Sequence, residues 1–369
     1  MVEYIGIESL QRIVGRLGPA VFMEGLAGRI EADYRRWGEF GKSARHATHS
    51  PGGVIELMPI SDGQHYAFKY VNGHPGNTAR GLPTVMAFGV LAEVQTGAPL
   101  LLSELTLTTA LRTAAMSALA ARWMARPDSR VMALIGNGAQ SEFQAMAFHH
   151  MLGIRDLRLY DLDPLATARL MTNLENAGLR DLRITPCRSV AEAVRGADIV
   201  TTATADKRHA PVLTPGMIAP GMHLNALGGD CPGKTELHPD ILRRPDARVI
   251  VEYEPQSRLE GEIQQLPADF AVTEFAQVVS TAAPGRACTQ EVTIFDSVGF
   301  ALEDYSALRY LYQLQQQQSR RQTIDLIPEL GDPKNLFGLL QTGGARPVPE
   351  PSATMTPVNR PLDAELSTT

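Results

Sequence analysis

The run Gly136-Asn-Gly138-Ala-Gln-Ser141 follows the apolar stretch 131–135 and opens a segment of helix-forming residues. Glycine at 136 lets the chain turn sharply, and glycine at 138 lets backbone approach a pyrophosphate whose charge the helix N-terminus stabilises. Ser141, at the third position of the pattern, is small enough for close helix packing. Such a loop alone is equally compatible with a plain structural turn. The next strand, however, ends in Asp161, about 20 residues further on, where a carboxylate would accept both ribose hydroxyls. Asp161-Leu162-Asp163 supplies no arginine for a 2′-phosphate, so the pattern points to NAD and not NADP.

A second group of residues is cationic. Arg45, Lys69 and Arg112 fall on three different elements of the first third of the chain, Lys69 between Phe68 and Tyr70 and Arg112 inside an Ala/Leu-rich run. Singly, each fits a surface cation, because Lys and Arg are seldom fully buried. Together they could hold a substrate carboxylate, which favours planar guanidinium forks plus a point charge. Asp230 sits in Asn225-Ala-Leu-Gly-Gly-Asp-Cys-Pro-Gly-Lys234, just past an apolar strand. Ligands of open parallel sheets bind beyond the strand ends, so Asp230 is either a catalytic carboxylate or an aspartate in a Gly-Pro turn. Adjacent His149 and His150 on one helix face different directions, and no metal site is expected. The three cysteines, Cys187, Cys231 and Cys288, lack C-x-x-C spacing and imply neither a disulfide framework nor zinc.

The scaffold for these residues is long enough for two domains, at 369 residues and roughly 100–200 per domain. A hydrophobic content of 44% with 20% charged residues excludes a disordered or fibrous chain. The net charge of −6 argues against nucleic-acid or anionic-membrane partners. The longest stretch without charged residues, 209–229, holds Pro211, Pro215 and Pro220 and cannot cross a bilayer as a helix. Glu3 and Glu8 stand where a secretory signal would be basic, which suggests a cytoplasmic protein. Residues 54–72 read as a hairpin around Ser61-Asp-Gly63, and 84–92 with 100–103 read as a second pair. With an N-terminal helix, these make the first third an antiparallel α+β region. Residues 105–125, free of Gly and Pro, predict one long helix ended by Pro127-Asp-Ser129. Beyond Ser129, strands alternate with helices, the mark of an α/β parallel sheet of Rossmann type. A helix over about 300–318 follows, and 343–369 is expected to be a disordered tail.

Five runs resemble the ornithine cyclodeaminase/mu-crystallin family over residues 1–318: KYVNGHPGN from Lys69, LLLSELTLTTALRTAA from Leu100, GNGAQSEFQ from Gly136, GGDCPGKTELH from Gly228 and FDSVGFALED from Phe295. The resemblance implies a homodimer. Residues 1–128, completed by a C-terminal helix at about 319–340, would form the substrate and dimerisation domain, and 129–318 the NAD domain. It places the substrate carboxylate on Arg45, Lys69 and Arg112, with Val298 touching the substrate. Thr84, Gly136, Gly138, Ala139, Gln140, Asp161, Thr204, Leu224, Asn225, Ala226, Leu227, Lys234 and Ser297 would hold NAD, and Asp230 would be catalytic. The implied reaction converts L-ornithine to L-proline and ammonia by NAD-dependent internal hydride transfer and ring closure. Lysine cyclodeaminase, alanine dehydrogenase or ketimine reductase activity stays open, as does a non-catalytic crystallin-like binding role.

Overall fold

Alternation of inward and outward side chains builds the first sheet. Strand His65–Gly73 buries Ala67, Lys69 and Val71 and turns Tyr66, Phe68 and Tyr70 the other way. In the computed structural model, which describes residues 1–204, 209–229 and 231–341, it pairs with Gly53–Ser61 and Ala87–Glu93 in a seven-stranded sheet. The Asp62 carboxylate closes the hairpin turn by accepting the N–H groups of Gln64 and His65. The sheet is antiparallel with one departure: Val2–Ile5 runs parallel to Pro99–Glu104 and antiparallel to Gln322–Ile324. These short outer strands carry too few residues for a period-two pattern, so the N-terminus read only as a helix.

Helix Thr106–Met124 closely matches the expected span and is buried along most of its length. It packs on helices Pro19–Arg35 and Ser141–Leu152 and reaches both sheets. The second sheet has eight strands, all parallel, in the spatial order Thr273–Glu274, Ala247–Val251, Val292–Asp296, His223–Ala226, Ile199–Thr202, Val131–Ile135, Asp156–Tyr160, Arg183–Pro186. The glycine loop therefore leaves a strand with parallel neighbours on both sides, the topology that directs strand C-termini toward one crevice. A separate parallel pair joins His209–Leu213 with Thr235–Leu237.

One expectation is corrected. No α-helix occupies 319–340; the helix that returns to the first sheet is Ala301–Gln316, which packs on strands Gly53–Ser61, His65–Gly73 and Ala87–Glu93. After it the chain supplies strand Gln322–Ile324. Met1–Asp325 is one compact unit. In the second unit, from Leu326, the Asn335 side chain accepts the Gly338 N–H and caps a 3-10 turn at Leu336–Leu340. The 343–369 tail and Asp230 lie outside the described residues.

Candidate active site

A cavity of about 680 Å³ opens where helix Thr106–Met124 passes between the two sheets. Arg45, Lys69, Arg112 and Val298 all line it, as do Thr84, Gly138, Ala139, Gln140, Thr204, Leu227, Lys234 and Ser297. The structure thus brings residues spread over more than half of the chain to one wall. Gly136, Asp161, Leu224, Asn225 and Ala226 are not on that wall. Leu224, Asn225 and Ala226 are buried within strand His223–Ala226. Gly136 adopts φ +94°, and a Cβ there would stand 2.5 Å from the Ala203 carbonyl oxygen, so its part is to make the turn. Asp161 accepts the N–H groups of Asn137 and Asp163 and so anchors the glycine loop to the end of its strand.

The cations are not surface groups. Lys69 is 1% exposed and Arg112 5%, and both reach carboxylates on helix Ala301–Gln316. Lys69 Nζ lies 2.7 Å from Asp304 Oδ2, and Arg112 Nε lies 3.2 Å from Asp304 Oδ1, so one carboxylate spaces two cations. Arg112 Nη1 also donates to Glu303. Burial, and then the Glu252 carboxylate beside it, pushes Glu303 well above the usual carboxylate range. Arg45 donates to the carbonyls of Val298 and Gly299, both at 2.6 Å, and pairs with Glu56 at 3.0 Å. Glu252 accepts from Ser297 Oγ and from the N–H groups of Val298 and Gly299, fixing that turn from beneath.

Glu56, Glu252, Glu303 and Asp304 escaped the sequence reading. Glu56 was the most accessible of them: in Val54-Ile-Glu-Leu-Met58 it shares a strand face with Val54 and Met58, and that face is buried. Its Oε1 is buried in the cavity wall with no hydrogen-bond partner.

Burial lowers the Lys69 pKa first, the neighbouring Arg112 and Arg45 lower it further, and Asp304 opposes them; the result is about 8. A lysine so placed is charged below that pH and neutral above it. Affinity for a carboxylate substrate should therefore weaken as pH rises through about 8. A KM–pH profile checks this, and Lys69→Arg should move the limb upward because a guanidinium stays charged.

Fold and cavity together define a dinucleotide-dependent enzyme acting on a small substrate with a carboxylate. A family model described as ornithine cyclodeaminase/mu-crystallin matches residues 9–319, and the chain belongs to that family. It is 54% identical over 340 residues to an ornithine cyclodeaminase of Brucella suis, covering 92% of this chain and 94% of that one. A lysine cyclodeaminase structure superposes with a TM-score of 0.79 at 31% identity, covering 90% of this chain and 98% of the other. An archaeal alanine dehydrogenase dimer with bound NAD gives a TM-score of 0.79 at 28% identity, covering 88% of this chain and 99% of the other.

Proposed function

We propose that this protein is an NAD-dependent cyclising ammonia-lyase that converts L-ornithine to L-proline and ammonia. One observation supports it above the others: the cavity wall carries the Arg45, Lys69 and Arg112 cations together with the unpartnered Glu56 Oε1. Such a wall suits a molecule with a carboxylate at one end and an ammonium at the other. Glu56 and Met58 are alternate residues on one strand face, and Met58 pairs in register with Lys69. The two-residue step is roughly 7 Å of strand, the order of length of an extended five-carbon diamino acid.

The residues present fit NAD. A Cβ on Gly138 would meet nothing within 4 Å, which leaves the loop open for close approach of a phosphate. The 12-residue helix Ser141–Leu152 begins immediately after it, and Gln140 Oε1 is buried without a partner. Bound NAD supplies reversible two-electron oxidation at the substrate Cα. The chain's own residues do the rest. Lys69 and Arg112 hold the carboxylate and so fix Cα, and Glu56 holds the distal amine within reach of it. Asp230, whose neighbours Gly228 and Cys231 line the cavity, is the proposed base and acid for the two substrate amines. Holding nucleophile and electrophile of one molecule together makes closure of a five-membered ring a local event.

The outward face of the first sheet supports a homodimer. Ile55, Leu57, Tyr66 and Phe88 are each about 40% exposed there, and Tyr70 and Phe88 stack at 5.1 Å. No helix among the described residues is long and apolar enough to cross a membrane. A cytoplasmic setting is part of the proposal, and the free state of Cys187, Cys231 and Cys288 is compatible with a reducing compartment.

Steady-state kinetics with ornithine, lysine and alanine test the reading. Ornithine should have the highest kcat/KM, and Glu56→Gln should lower it roughly 10- to 100-fold by removing one charge-assisted contact. Preference for alanine, or indifference to Glu56→Gln, would contradict the assignment.

A further inference from the structure

Three buried carboxylates outside the substrate wall form a connected series. Asp296, at the end of strand Val292–Asp296, accepts the N–H groups of Glu262 at 2.8 Å and Ile263 at 3.1 Å. Glu262, at the start of the 3-10 turn Glu262–Gln265, accepts those of Glu236 at 2.7 Å and Leu237 at 3.0 Å. Glu236, in strand Thr235–Leu237, accepts the Thr204 N–H at 2.7 Å and the Thr204 hydroxyl. Each acid thus holds the backbone that carries the next one. The exposures of the three are 0%, 0% and 1%, and among the described residues none forms a salt bridge. Burial without a cation pushes Asp296 up to about 7 and Glu262 well above the usual range. Such costly groups persist where their hydrogen bonds fix geometry that apolar packing does not.

The series ends on residues assigned above to the cofactor. Thr204 also accepts from Lys234 Nζ at 3.0 Å, so its donors point to Glu236 and its carbonyl to Lys234. From the same 3-10 turn, Gln264 accepts the Gly233 N–H at 2.7 Å and donates to the Lys234 carbonyl at 3.0 Å. The sequence carries the imprint of this arrangement. A Cβ on Gly228 would stand 1.9 Å from the Glu236 carboxyl carbon, and one on Gly261 would stand 2.5 Å from Asp296 Oδ2. Gly228 is therefore required by Glu236.

We propose that Asp296, Glu262 and Glu236 are positioning residues that set Gly228, Gly233, Lys234 and Thr204 in the geometry that binds the dinucleotide. The proposal rests on the cofactor role given above to Thr204 and Lys234, and its test reads cofactor binding directly. NADH affinity is measured by fluorescence titration for Glu236→Ala, Glu236→Gln, Gly228→Ala and Gly228→Ala/Glu236→Ala, with the Tm of each unliganded protein and the KM for ornithine. Glu236→Ala and Gly228→Ala should each weaken NADH binding at least tenfold. Their effects should not multiply, because the double variant removes the group that the new methyl strikes. Glu236→Gln keeps the acceptor for Thr204 and should stay within threefold of the parent. Ornithine KM should change less than NADH affinity in all of them.

Independent, multiplying effects, unchanged NADH affinity in Glu236→Ala, or a loss in Glu236→Gln as large as in Glu236→Ala would overturn the proposal. If Glu236→Ala does not fold, the pairing of a tolerated Glu236→Gln with an impaired Gly228→Ala still supports it, and the reverse pairing refutes it. Absence of ornithine turnover in the parent protein would reject the substrate and leave the NADH comparison intact.

Discussion

Asp230→Asn is expected to lower the ornithine turnover number roughly 100- to 10,000-fold while NAD binding is retained, the usual range for a positioned acid or base. Both amines of ornithine are largely protonated near neutral pH. Oxidation at Cα needs the α-amine neutral, ring closure needs the distal amine neutral, and ammonia must be protonated to leave. The cavity wall offers three cations for the carboxylate, and cations cannot accept those protons or offset the charge of an iminium. The other acids near the substrate are committed to cations: Asp304 and Glu303 to Arg112, Glu260 to Arg45, and Glu56 to Arg45 and, in the proposed complex, to the distal ammonium. Asparagine keeps the shape of Asp230 and removes the base. Near-normal turnover in a kcat measurement on this variant would reduce Asp230 to a turn residue.

The second large effect is expected at Arg112. Arg112→Ala should weaken ornithine binding far more than NAD binding, and it should also destabilise the fold. Loss of the guanidinium leaves Asp304 and Glu303 buried with one fewer cation, and breaking a buried pair costs about 3–5 kcal/mol. Denaturant unfolding of the unliganded variant measures the structural part, and titration with ornithine and NADH measures the rest. Arg112→Lys separates the two contributions, since it restores a charge without the planar fork. Equal losses of ornithine and NADH affinity in Arg112→Lys would mean that Arg112 acts only through the fold.

Local chemistry made the strand, glycine loop and helix at 131–152 legible from sequence. Strand Val131–Ile135, the glycine loop and Asp161 lie within a short span, and each obeys rules of turn geometry and helix termini that need no distant partner. The burial of Lys69 and Arg112 was not legible in the same way. Their counter-charges, Glu303 and Asp304, come from a helix that folds back from the other end of the molecule. In sequence those acids are indistinguishable from residues that favour a helix N-terminus. Misplacing the returning helix at 319–340 had a similar origin, because its position is decided by packing of Ala301–Gln316 on the first sheet. Gly228 shows a third kind of limit. What closes on it is the Glu236 carboxylate, from a strand too short to announce itself.

The proposed reaction uses NAD without consuming it. With ornithine in excess and NAD in catalytic amount, proline and ammonia should accumulate in equal quantity, many equivalents per NAD, with no net rise in NADH absorbance. A stoichiometric rise in NADH, with product formation stopping at one equivalent of added NAD, would contradict the account and make the protein an amino-acid dehydrogenase.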